Sequence, residues 1–127
     1  MHTTTRVWSV RVIGAFFIAA GAYHFVHSQP YVAMIPPYLP APAVLVVVSG
    51  IAEILGGVGV LLSFTRVVAG WGLIALLLAV FPANLHVAFH GWPGVDLPRW
   101  ILWVRLLFQP LLIWVVYRFC IAKFRSP

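Results

Sequence analysis

Apolar residues fill four long runs of this chain, roughly 7–27, 42–64, 67–90 and 97–119, broken by stretches rich in proline, glycine or arginine. Each run reaches the ~20 residues that a helix needs to cross ~30 Å of hydrocarbon. Lipid admits only helices or closed barrels, and the runs lack the in–out alternation of barrel strands. The pattern predicts an all-α membrane protein, a four-transmembrane-helix bundle forming one domain over residues 1–127.

The breaks differ in character. Residues 28–41 hold Pro30, Pro36, Pro37 and Pro40, with Pro42 just beyond, together with Tyr31 and Tyr38. Such length and aromatic content predict an interfacial lid between helices rather than a plain turn. Residues 63–66 are short enough to make the second and third helices an antiparallel hairpin. Residues 91–97, GWPGVDL, use Trp92, Pro93 and Gly94 as breakers. The two hairpins share no motif, so no inverted repeat is expected.

Composition narrows the class. The chain is 63% hydrophobic and 8% charged, with a mean hydropathy of +1.04, too few charges for a water-soluble domain. The net charge of +6 does not indicate nucleic acid, because Arg6, Arg11, Arg66, Arg118, Lys123 and Arg125 flank the apolar runs instead of forming a basic face. Their distribution is the one that orients a membrane protein. It predicts cytoplasmic N- and C-termini, with the proline-rich segment and the GWPGVDL turn outside, in a multi-pass protein of the inner (plasma) membrane. The first run resembles a secretory signal, with Arg6 and Arg11 ahead of an apolar stretch that reaches Ala20-Gly21-Ala22. It continues through Phe25 and Val26, past the ~7–15 residues of a signal core, and reads as an uncleaved first helix. A single cysteine, Cys120, permits neither an internal disulfide nor a CxxC pair.

Glu53 is the only glutamate, and it lies inside the second run. An acid at membrane depth is expensive unless satisfied, which makes it a candidate functional site. Counting 1.5 Å per residue from the outer ends puts Glu53 about 16 Å down and Arg105 about 12 Å down. On the same rise Asn84 and His86 lie about 6–9 Å down, Gln109 about 18 Å down, and His24 and His27 within roughly 5 Å of the end. Arg105 and Gln109 are four apart and share a helix face. These depths predict a buried Glu53–Arg105 pair, with Asn84 and Gln109 meeting its remaining hydrogen-bonding needs. Two readings of that pair stay open: glue that sets helix register, or a ligand and proton site.

His24 and His27 are three apart, and His86 and His90 four apart, spacings that can ligate a metal or haem. Against this, Asn84 and His86 are about 200° apart around their helix, so both cannot face the centre. No metal site is assigned, and interfacial or hydrogen-bonding histidines are the favoured reading. His24, which precedes the lid, is the histidine expected to exchange protons. Gly50, Gly56, Gly57 and Gly59 bracket Glu53 and predict close helix packing, with Ser49 adding a hydroxyl. Pro82 and Pro110 are expected to kink the third and fourth helices beside Asn84 and Gln109, opening a pocket. Tyr31, Tyr38, Trp100 and Trp103 are candidates for its mouth, although aromatic belts at the membrane surface are the more common explanation.

The segments AYHFVHSQPYVAMIPPYLP (22–40), SGIAEILGGVGVLL (49–62), AVFPANLHVAF (79–89) and RWILWVRLLFQPLLI (99–113) together resemble the small DoxX-like membrane proteins. The likeness covers nearly the whole chain. It implies a four-helix bundle and, by position, family motif residues at His24, Pro36, Pro37, Glu53, Gly56, Gly57, Pro82, Asn84, Arg105 and Gln109. In that superfamily a two-subunit relative is a thiosulfate:quinone oxidoreductase of the archaeal membrane. Others resemble partners in thiol or oxidative-stress systems, and eukaryotic relatives act as cargo receptors or assembly chaperones.

The residues and the resemblance give one leading expectation. Arg105 holds a quinone head group or a small sulfur anion, Glu53 fixes Arg105 and relays protons, and His24 exchanges them at the mouth. Asn84, Gln109, Ser49, Tyr31 and Trp103 complete the ligand site. The work expected is quinone-linked redox chemistry or oxidative and sulfur stress metabolism, with a partner redox subunit or a second copy of the chain. The alternative is a non-enzymatic assembly scaffold or chaperone whose Glu–Arg pair is structural. A solute carrier is disfavoured by the lack of a repeat.

Overall fold

The computed structural model describes residues 2–122, and among these every regular element is helical. The elements are α1 (His2–Val26), α2 (Ser28–Met34), α3 (Pro42–Leu61), α4 (Arg66–His90), α5 (Arg99–Val116) and a closing π-helical turn (Tyr117–Ile121). The basic residues Lys123 and Arg125 lie outside the described residues. Four segments are long and apolar enough to cross a membrane: Thr4–Val26, Pro42–Leu61, Arg66–His90 and Arg99–Ile121. Large apolar side chains such as Val12, Leu55, Val68 and Leu107 cover the outer surface, which is the surface a bilayer solvates. These are the marks of a membrane protein.

The expected lid is partly helical. Pro30 falls in the first turn of α2, where a missing N–H costs nothing, and the helix ends just before Pro36 and Pro37. Ile35 is extended (ψ 127°), as a residue preceding proline prefers. At the other end, the α3–α4 connection closes on side-chain donors. Thr65 Oγ1 donates to the Gly59 carbonyl at 2.7 Å, and Arg66 Nε donates to the Val60 carbonyl at 2.7 Å. These bonds satisfy carbonyls that the last turn of α3 would otherwise leave bare.

Neighbouring helices run antiparallel. The packing of α1 on α3 is the tightest, through Gly21 against Gly50 and Gly14 against Gly57. A Cβ on Gly21 would sit 2.5 Å from the Gly50 carbonyl oxygen, and one on Gly57 would sit 2.7 Å from that of Gly14. Without hydrophobic drive between helices in lipid, such backbone contact is a main source of cohesion. Along the rest of the chain, Ala69 packs on Gly59, and Gln109 reaches the Leu77 carbonyl. Arg6 Nε donates to the Phe119 carbonyl at 3.1 Å and ties the start of α1 to the π-helical turn. There Val10, Ile13, Phe17, Val60, Leu73, Leu77, Val116 and Cys120 form a dry core. A smaller core of Met34, Ala83, Val87 and Leu102 lies under α2.

Candidate functional site

Between these two cores lies a cavity of about 320 Å³, roofed by α2. Its floor and sides are apolar, with Phe17 and Leu77 shared with the dry core below. Its polar lining is His24, Tyr31, Ser49, Glu53, Asn84, Arg105 and Gln109. The structure thus gathers from five helices all but one of the residues that the sequence nominates for the site. The exception is Trp103, which turns outward and packs edge-on against Phe89 at 5.0 Å. Trp100 and Tyr38 are exposed as well.

The expected Glu53–Arg105 ion pair does not form. Glu53 Oε2 instead approaches His24 Nε2 at 3.2 Å. Helix geometry explains the choice. His24 and Glu53 each lie three residues beyond the glycines at the Gly21–Gly50 crossing, on opposite sides of it. Side chains lean toward the N-terminus of their own helix, and in an antiparallel pair those leans converge. Rise per residue predicts depth, but it contains neither the lean nor the angle around the axis.

The far side of the imidazole is also held. His24 Nδ1 lies 3.4 Å from the Val46 carbonyl and 3.3 Å from Ser49 Oγ, while Ser49 Oγ donates to the same carbonyl at 3.0 Å. A carbonyl only accepts, so this side calls for the hydrogen on Nδ1. Nε2 is then the ring nitrogen turned toward Glu53. Their contact is short but lies off the line of a hydrogen bond, so Oε2 still lacks a hydrogen-bond partner. Asn84 Oδ1 and Gln109 Oε1 are likewise buried and unpaired. The Gln109 amide is oriented by Nε2 donating to the Leu77 carbonyl at 3.4 Å, which leaves its oxygen without a partner.

Arg105 approaches from α5 and makes no hydrogen bond or ion pair with the described residues. Its guanidinium carbon lies 4.6 Å from the centre of the Trp92 ring, a cation–π contact. Trp92 was expected only to break a helix. It instead donates Nε1–H to the Pro30 carbonyl at 2.7 Å and pins the roof. Tyr31 covers His24 at 4.1 Å and meets Trp92 edge-on at 6.4 Å. Burial raises the Tyr31 phenol above its ordinary value, Glu53 adding to the shift and Arg105 opposing it, so it stays an O–H at neutral pH. An indole N–H facing a proline-rich segment was the available signal for Trp92.

The histidines do not converge. His27 packs on Tyr23 at 4.5 Å, and His86 stacks on His90 at 4.5 Å. The haem or metal arrangement through His24, His27 and His86 is therefore not built. Among the described residues no three His, Cys, Asp or Glu side chains group as a metal site would require.

The rim of the cavity is apolar. Of its lining residues only Phe16 on α1 and Phe108 on α5 are well exposed, at 42% and 44%. Both lie midway along segments long and apolar enough to cross a membrane, so the cavity opens on the side of the helices and not at their ends.

The family described as a domain of unknown function (DUF8561) matches residues 13–120, and the chain belongs to it. No curated protein and no solved structure matches this chain.

Proposed function

We propose that this chain is a multi-pass protein of the inner membrane whose cavity binds the head group of a quinone-class lipid. It would be a four-helix bundle with cytoplasmic termini, working in redox metabolism with a partner subunit. The likeness to DoxX-like proteins points the same way. One observation carries the reading: three unpaired buried acceptors face the cavity that Arg105 also lines, and that cavity opens sideways past Phe16 and Phe108.

Unpaired buried acceptors are costly, at about 1–3 kcal/mol each, so the polar wall is built for something that donates. The two hydroxyls of a quinol can donate to two of the three acceptors Glu53 Oε2, Asn84 Oδ1 and Gln109 Oε1. The carbonyls of the oxidised form match the Arg105 guanidinium. A quinone–quinol couple supplies the two-electron chemistry, its electrons exchanged with the partner. Glu53 takes the two protons that leave the hydroxyls one after the other, and His24 accepts each at Nε2 while releasing one from Nδ1 on the Ser49 side. Tyr31 closes the site over the imidazole. Phe16 and Phe108 give the tail a path into hydrocarbon.

The test is equilibrium binding of a decyl-tailed benzoquinol and its benzoquinone to purified protein in detergent. Arg105→Leu should weaken quinone binding about tenfold, and Gln109→Leu should weaken quinol binding by a similar factor. If folded wild-type protein binds neither form below about millimolar concentration, the reading fails. The scaffold reading, with the His24–Glu53 contact as its register lock, then takes its place.

A further inference from the structure

Three arginines converge at the opposite end of the molecule, where the cavity plays no part. Arg6 and Arg11 of α1 and Arg66 at the start of α4 line a second depression, of about 420 Å³, with Val7, Val10 and Leu61. We infer that this depression is a binding site for the phosphate-bearing head group of an anionic phospholipid.

Charge is the first argument. The chain has two acidic side chains. Glu53 lines the cavity, and Asp96 lies in the turn between α4 and α5 at the other end. Arg11 and Arg66 therefore bring like charges to one depression that neither acidic side chain lines, and an anion from outside offsets that repulsion. Arginines scattered along a membrane boundary would orient the protein equally well. Here the fold directs them into one concave place.

Preorganisation is the second. Arg66 Nε and Nη2 donate to the Val60 and Leu61 carbonyls at 2.7 Å and 3.4 Å, and Arg6 Nε donates to the Phe119 carbonyl at 3.1 Å. Guanidinium planes held by such bonds lose little freedom when an anion arrives. Arg66 Nη1 makes no hydrogen bond with the described residues. Arg11 rests 5.2 Å from the Trp8 ring, and Trp8 is exposed, as an interfacial tryptophan would be.

The lining selects among anions. Planar guanidinium groups suit phosphate oxygens, and Val7 and Leu61 form an exposed apolar lip beside them. A lipid uses both features, its phosphate on the arginines and its first acyl carbons on the lip. Inorganic phosphate uses only the first. The depression also lies at the ends of three spans, at head-group height.

Native mass spectrometry of the purified protein, titrated with phosphatidylglycerol, phosphatidylcholine or inorganic phosphate, tests the inference. Phosphatidylglycerol should be retained in preference to phosphatidylcholine. Arg11→Gln should lower its affinity about fivefold, while Arg99→Gln, at the opposite end, should leave it unchanged. Arg66→Gln should cost at least as much as Arg11→Gln; because Arg66 also closes the end of α3, Arg11→Gln is the deciding variant. Equal retention of the two lipids, equal effects of Arg11→Gln and Arg99→Gln, or inorganic phosphate binding as tightly as phosphatidylglycerol would each overturn the assignment.

Discussion

At the end of the molecule where α1 begins and the π-helical turn lies, Val10, Ile13, Val60, Leu73, Val116 and Cys120 pack together without a polar side chain. Toward the other end, the same helices part around His24, Glu53, Asn84, Arg105 and Gln109. Composition does not separate these regions, since both are helical and mostly apolar. What separates them is whether side chains fill the space between the backbones. Phe17 and Leu77 belong to both, as the top of the dry core and the floor of the cavity. The comparison teaches that cohesion and chemistry are carried by different side chains: the dry core, the Gly21–Gly50 crossing and the small core under α2 hold the helices together, so the polar residues between them can keep acceptors unpaired.

Substitutions can break that division. The largest effect is expected from Phe17→Ala, at the shared floor, which should cost about 3–5 kcal/mol and lower the thermal midpoint in detergent. Gly21→Ala should follow at about 1–3 kcal/mol, because its Cβ meets backbone at the α1–α3 crossing, 2.5 Å from the Gly50 oxygen. It should also separate His24 from Glu53, seen as a changed His24 imidazole chemical shift. Trp92→Phe removes one hydrogen bond to the roof, worth about 1 kcal/mol, and should speed proteolysis within residues 28–41 more than it lowers the midpoint. Asn84→Leu should have the smallest effect on stability and the opposite sign, neutral or stabilising by up to about 1 kcal/mol, since it removes an unpaired acceptor. A clear loss of stability in Asn84→Leu would show that the polar side chains hold the fold together too, and the division would fall.

Much of this was legible in the sequence, for identifiable reasons. Span lengths follow from hydrophobic runs, and four segments of the expected kind are present. The nominated polar residues share one cavity because a residue's depth follows from counting along a helix of known rise. What counting omits is direction. Glu53 meets His24 and not Arg105 because of side-chain lean at a glycine crossing, and Trp103 faces outward because of its angle on α5. The α2 helix went unseen because Pro30 reads as a breaker unless its place in a first turn is known. Trp92 was missed because its partner, the Pro30 carbonyl, is 62 residues away and belongs to the backbone.

The central claim is that the space between α1 and α5 holds an amphipathic ligand with its head among Glu53, Asn84, Arg105 and Gln109. An experimental density map of the protein purified from membranes in mild detergent tests it most directly. The account predicts elongated non-protein density beginning beside Arg105 and leaving between Phe16 and Phe108. A cavity closed by its own side chains, or filled only by ordered water bridging the three acceptors, would contradict it.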